Sequence, residues 1–213
     1  MVLDKYTAKK TAELLIQIKA IKLNLKNPFR WASGWNSPIY CDNRIILSYP
    51  EIRKFIREQI VKQIENLYGK PEVIAGVATG AIGIGMLVAD LMNLPFIYVR
   101  PNAKKHGRKN QIEGQFSKSQ KVVVIEDLIS TGRSSLMAIE ALRSEELQIS
   151  GMISIFTYGF EISYINFKDK NVDFHSLSSY DYLLEQALDI NYINNDEFET
   201  LKKWKKNPGE WKI

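Results

Sequence analysis

Residues 122–135 read Val-Val-Val-Ile-Glu-Asp-Leu-Ile-Ser-Thr-Gly-Arg-Ser-Ser, and the fold follows from this stretch. Four β-branched apolar residues in a row, Val122 to Ile125, predict a strand buried on both faces over 121–125. Two adjacent acids, Glu126 and Asp127, follow it, and a hydroxyl- and glycine-rich turn then opens a helix expected over 134–147. The same rhythm extends outward. Strands are expected over 73–77, 95–99 and 151–157, with a helix over 82–92 carrying Ile84, Leu87, Val88 and Leu91. Strands alternating with helices imply crossover connections and a mainly parallel α/β sheet flanked by helices, which binds ligands beyond the carboxyl ends of its strands.

Further out the pattern changes. Ala8, Ala12, Leu15, Ile16 and Ile21 share a helical face, and 50–67 returns to helical spacing through Ile52, Phe55, Ile56, Ile60, Ile64 and Leu67. Between them, 27–42 is marked by Gly, Pro and Ser and carries Phe29, Trp31, Trp35 and Tyr40. The tail from about 178 reads as polar and helical. With 213 residues, 45% hydrophobic and 25% charged, the chain is expected to form one globular domain with an N-terminal extension. The lone Cys41 excludes an intramolecular disulfide framework and fits a reducing compartment, as a small buried thiol. The first ten residues lack the apolar core of a secretory signal, and glycines interrupt the apolar run 73–89, so a soluble, cytoplasmic protein without a membrane span is expected. A net charge of +5 suits an anionic partner without naming it.

The motif has a chemical use for each of its parts. Glu126 and Asp127 can hold the hydroxyls of a ribose ring or the waters around Mg²⁺. Ser130, Thr131, Gly132 and Ser134 can wrap a phosphate at a helix N-terminus, where backbone N–H groups and the dipole favour an anion. A Ser-Thr-Gly run can also merely cap a helix. The order of apolar run, acid pair, two apolar residues and Ser-Thr-Gly is more specific than a cap. No G-x-x-x-x-G-K-[ST] is present, and Gly76, Gly80, Gly83 and Gly85 do not fit G-x-G-x-x-G.

This stretch resembles the phosphoribosyl pyrophosphate (PRPP) motif of type I phosphoribosyltransferases. Within that group 29–44 (FRWASGWNSPIYCDNR), 94–114 (LPFIYVRPNAKKHGRKNQIEG) and 153–158 (ISIFTY) resemble orotate phosphoribosyltransferase, in the branch of Gram-positive and related bacteria. The resemblance implies the type I fold with an N-terminal hood over about 1–70, a core sheet over 71–160 and a C-terminal segment over 161–213. It implies transfer of phosphoribose from PRPP to orotate with Mg²⁺, the metal being held mainly by PRPP with Glu126 and Asp127 nearby. Lys104, Glu126 and Asp127 take catalytic roles. PRPP is bound by Arg100, Lys104, His106 and the run Glu126, Asp127, Leu128, Ile129, Ser130, Thr131, Gly132, Arg133 and Ser134. Arg133 stands where a small residue is common, and either adds a phosphate contact or points to solvent. The basic loop 100–114 belongs, in the family, to the other subunit of a homodimer and closes the neighbouring site.

The chain departs from the enterobacterial branch, with Ala32, Thr79-Gly80, Pro101 and Tyr158 where that branch carries ligand-binding residues. The orotate carboxylate is thereby left without an evident cation. Arg44 is the candidate for it, a surface salt bridge being the competing reading, and the hydroxyl of Ser130 is a second candidate contact to the base. No nucleic-acid partner is expected; a separate orotidine monophosphate decarboxylase is a candidate partner. The alternatives are transfer to another base, or a regulator of the same fold that binds PRPP without chemistry.

Overall fold

A computed structural model of the chain describes residues 1–31, 36–101 and 111–209. Helix α1 (Lys5–Gln17) leads into four short strands, β1 (Ile21–Leu23), β2 (Phe29–Arg30), β3 (Asn36–Ser37) and β4 (Ile39–Cys41). A 3-10 helix (Asn43–Ser48) and α2 (Pro50–Tyr68) follow. Then come β5 (Val73–Val77), α3 (Gly80–Met92), β6 (Phe96–Val99), β7 (Ile112–Glu113), β8 (Lys121–Ile129), α4 (Arg133–Ser144) and β9 (Gln148–Thr157). The chain continues through α5 (Glu161–Asp169), β10 (Phe174–Ser179), α6 (Tyr180–Asp189) and α7 (Asn195–Lys206).

One six-stranded sheet runs in the order β10-β9-β8-β5-β6-β7, parallel except for the edge strand β7. It is the type I phosphoribosyltransferase fold. Its central strands are apolar on both faces because helices cover both. Along β8 the residues alternate. Val123 and Ile125 join the core with α2 and α3, while Val122 and Val124 face Leu136, Ile139 and Leu142 of α4. Among the described residues no helix is long and apolar enough to cross a membrane.

The expected end of the motif strand moves, for a reason that matters to the site. β8 runs to Ile129 rather than stopping at 125, because Glu126, Leu128 and Ile129 pair with Ser154, Phe156 and Thr157 of β9. On its other side β8 pairs with β5 only as far as Ile125 opposite Gly76. The acids therefore sit inside a strand supported on one flank and open on the other.

The tail is helical as expected, in α6 and α7, but β10 just before it was not expected, because its sequence Phe-His-Ser-Leu-Ser-Ser hides its burial. Two of its buried serines find partners: Ser176 Oγ shares a hydrogen bond with Ser154 Oγ at 2.5 Å, and Ser178 Oγ donates to the Ala8 carbonyl at 2.8 Å. α7 reaches back to the N-terminal strands. Its Trp204, fully buried, packs edge-on against Trp31, Tyr158 and Phe160. His175 is structural, its ring between the Met1 carbonyl and Asp173.

Candidate active site

Adjacent residues of a strand point to opposite faces, and this divides the acid pair. Glu126 turns toward α4. It is only 4% exposed; Ser135 Oγ donates to its Oε2 at 2.8 Å, and the Asp127 N–H donates to its Oε1 at 3.0 Å. Asp127 turns toward α3, half-buried, and a Cβ built on Gly80 would lie 2.2 Å from its Oδ2. Gly80 therefore makes room for this carboxylate at the start of α3.

Asn43, in the 3-10 helix, clamps the N-terminal segment onto the same spot. Its Nδ2 donates to the Asp127 carbonyl at 2.7 Å and its Oδ1 accepts from Cys41 Sγ at 3.3 Å. Burial pushes the Cys41 thiol up, and the Asp127 carboxylate adds to the effect. A thiol so held stays protonated, which fits the inert role expected of it.

Beyond Ile129 the chain turns through Ser130, Thr131 and Gly132 into α4. Gly132 has φ +80°, and a Cβ there would lie 2.5 Å from Phe167 Cε2. A side chain is thus barred both by backbone conformation and by the ring below. Asn166, beside Phe167 on α5, donates from Nδ2 to the Thr131 carbonyl at 3.0 Å. α5, which the sequence reading did not identify, is the floor of the turn. Ser134 and Arg133 are exposed at the head of α4, where N–H groups lack intrahelical partners.

Arg100 stands where β6 ends. Its Nη1 donates to Glu113 Oε1 at 3.2 Å, and its backbone N–H donates to the Gln111 carbonyl at 2.9 Å, which closes the stem of the basic loop. Arg100, Ala78, Gln111 and Ser134 line one cleft of about 70 Å³, so the loop stem and the phosphate turn meet. Lys104 and His106 lie outside the described residues. A wider hollow of about 670 Å³, lined by Phe160, Asp181, Lys202 and Lys205, includes none of the motif residues, so volume does not locate the site. Arg44 pairs with Asp42 through two bonds of 2.7 and 2.8 Å and remains exposed, yet its charge reaches Asp127.

Electrostatics separates the acids. Burial, reinforced by Asp127, drives the Glu126 carboxyl well above the usual glutamate range. Burial also raises Asp127, while the Arg44 cation is among the groups pulling it down. A carboxyl raised on folding holds its proton more tightly in the native chain. The stability it contributes is complete below the unfolded value of 4.5 and is lost as pH rises through the higher folded value. Glu126→Gln removes that titration, so the gain in thermal midpoint of the variant over the native protein should grow steadily above about pH 5. A difference independent of pH would show that Glu126 is ionised in the fold.

Comparison with known proteins agrees with this geometry. The phosphoribosyl transferase domain family matches residues 43–180, from the Asn43 clamp through Tyr180. An orotate phosphoribosyltransferase of Cytophaga hutchinsonii is 54% identical over 204 residues, covering 96% of this chain and 98% of that one. The Porphyromonas gingivalis protein of that name is 50% identical over 209 residues, covering 98% and 100%. The crystal structure of orotate phosphoribosyltransferase from Aeropyrum pernix superposes with a TM-score of 0.74 at 26% identity, over 86% of this chain and 99% of that one. Half or more of all positions shared along nearly the whole length of proteins so named leaves one conclusion: this chain belongs to the orotate phosphoribosyltransferase family.

Proposed function

We propose that the chain transfers the phosphoribosyl group of PRPP to a ring nitrogen of orotate, giving orotidine 5′-phosphate and pyrophosphate on the route to UMP. The observation that carries this is the junction at Asp127. There an acid at a strand end is clamped from the N-terminal segment by Asn43, with a glycine-bearing phosphate turn directly beyond it. Such a site has places for a sugar, a phosphate and a planar base.

The difficulty of the reaction is charge. Positive character develops on the ribose while negative charge collects on the departing pyrophosphate. Asp127 faces the ribose hydroxyls and counters the developing cation. Glu126, bonded to Ser135, fixes the strand end on which Asp127 stands. The turn of Ser130, Thr131, Gly132, Arg133 and Ser134, set by Leu128 and Ile129, grips the 5-phosphate and supplies remote binding energy that orients C1. Arg100, with Lys104 and His106 of the basic loop, meets the pyrophosphate, and loop closure excludes water from the cation.

Among the described residues no group of three or more His, Cys, Asp or Glu could cage a metal. Asp127 alone offers a partly accessible carboxylate, a donor set that fits Mg²⁺ carried mainly by the diphosphate. Beside Asp127, Mg²⁺ would supply neutralisation of charge on the leaving group. The reading includes a homodimer in which the 100–114 loop completes the neighbouring site. It also includes a cytoplasmic location and a separate decarboxylase acting on the product.

Spectrophotometric loss of orotate that requires both PRPP and Mg²⁺ is the expected result, with adenine, hypoxanthine and uracil inactive. Turnover of another base, or tight PRPP binding without turnover, would overturn it. In the same assay Arg44→Ala should raise the orotate KM by about tenfold with the PRPP KM unchanged, the loss of one charged hydrogen bond. An unchanged orotate KM would remove Arg44 from the site.

A further inference from the structure

Asn43 is only 2% exposed, and a leucine would fill much the same volume without taking a polar amide out of water. Both ends of the amide are nonetheless used. Nδ2 donates to the Asp127 carbonyl at 2.7 Å, across 84 positions of chain, and Oδ1 accepts from Cys41 Sγ at 3.3 Å. The first of these bonds goes to the main chain of the residue that carries the ribose-facing carboxylate, and not to the carboxylate itself.

The element presenting Asn43 is well anchored. Asp42 opens the 3-10 helix: its carboxylate accepts from the Arg44 N–H at 3.2 Å, and its own N–H donates to the Ala20 carbonyl at 2.8 Å. Ile46 is in the core. Leu47 lies against α3, where a Cβ on Gly83 would come within 2.7 Å of its Cδ1, and Arg53 Nη1 donates to the Leu47 carbonyl at 2.6 Å. The 3-10 helix therefore rests on α3 through Leu47 and on β8 through Asn43. Since α3 also carries Gly80, which makes room for the Asp127 carboxylate, one element braces both the main chain and the side-chain site of Asp127.

This brace acts where the sheet is weakest. β8 last pairs with β5 at Ile125 opposite Gly76, and beyond that point it keeps β9 alone as a strand partner. A strand end with fewer backbone hydrogen bonds opens more readily. A bond to the Asp127 carbonyl fixes the peptide plane that follows Asp127, and with it the direction of the side chain.

We propose that Asn43 is a positioning residue for this reaction, its hydrogen bond to the Asp127 carbonyl aiming the Asp127 carboxylate at the developing ribose cation. The assignment rests on the proposed phosphoribosyl transfer and deepens it. The ribose carries this charge only in the transition state, so a misaimed carboxylate slows turnover and leaves ground-state binding of both substrates alone. A shift of about 1 Å in such a group costs about a hundredfold. Losing one restraint among several moves it less, and about tenfold is expected.

Asn43→Leu removes the bond and keeps the volume. kcat should fall about tenfold, with the KM for PRPP and for orotate unchanged and the thermal midpoint within about 4 °C of native. Asn43→Ala, which is smaller and introduces no clash, should lose the same factor in kcat. The decisive measurement repeats Asn43→Leu in an Asp127→Asn background, where the charge to be aimed is gone. There it should cost less than about twofold, so that the two losses do not add. Additive losses, or native kcat in both single variants, would overturn the proposal. So would a raised orotate KM together with a larger fall in midpoint, which marks a prop for the N-terminal segment. A native protein inactive with every base would sink the reading of the reaction and this role with it. Turnover of a base other than orotate would sink only the choice of base. The same cycle would then be read with that base, because Asp127 faces the sugar.

Discussion

Lys104→Ala should lower kcat by a factor of about 10² to 10³, the range seen when one preorganised group facing developing charge is removed. Asp127→Asn should cost about as much, since it deletes the charge opposing the ribose cation and keeps the shape. The informative experiment combines them. If the 100–114 loop closes the neighbouring subunit's site, a mixed dimer of the two variants keeps one site with an intact acid and an intact lysine. Random exchange of subunits between the two purified variants should therefore restore about a quarter of native activity, since half the dimers are mixed and each has one good site. No recovery after demonstrated exchange would place the lysine in the site of its own chain. Recovery would establish both the dimer and the shared loop.

Gly132→Ala should strain the turn in both its backbone and its packing. The added Cβ would stand 2.5 Å from Phe167 Cε2, and the φ of +80° is unfavourable for alanine by about 1–2 kcal/mol before any clash. The turn cannot relax toward the sheet, because Tyr158 and Thr157 both donate to the Ile129 carbonyl, nor away from it, because Asn166 holds Thr131. The PRPP KM is expected to rise by about a hundredfold, while orotidine 5′-phosphate and ribose 5-phosphate lose affinity together, since both present the same phosphate. Phe167→Leu should restore part of that loss by giving the methyl room; the remainder measures the backbone cost. A Gly132→Ala enzyme with native PRPP KM would show that the turn does not hold the phosphate.

What could be read from the sequence and what could not differ for physical reasons. The strand 73–77 and the buried start of β8 declare themselves because two-sided burial requires unbroken apolar runs, and 95–99 is legible as a short apolar run although only one of its faces is fully buried. The motif 126–134 is equally legible, since its residue types lie next to one another along the chain. β10 was hidden because its burial is met by hydroxyl pairs between strands, which leave no apolar signature. α5 gave no strong amphipathic signal, yet it supplies both Phe167 and Asn166 to the phosphate turn.

The sequence by itself determined the sheet class and the positions of the Ser-Thr-Gly turn and the acid pair, all local patterns legible without neighbours. Only the tertiary structure decided that the adjacent acids part to opposite faces, Glu126 sealed against Ser135 and Asp127 turned to Gly80. Only the tertiary structure, too, brought Asn43 from the N-terminal segment onto the Asp127 carbonyl. Burial and contact between residues far apart along the chain depend on packing, which no local pattern records.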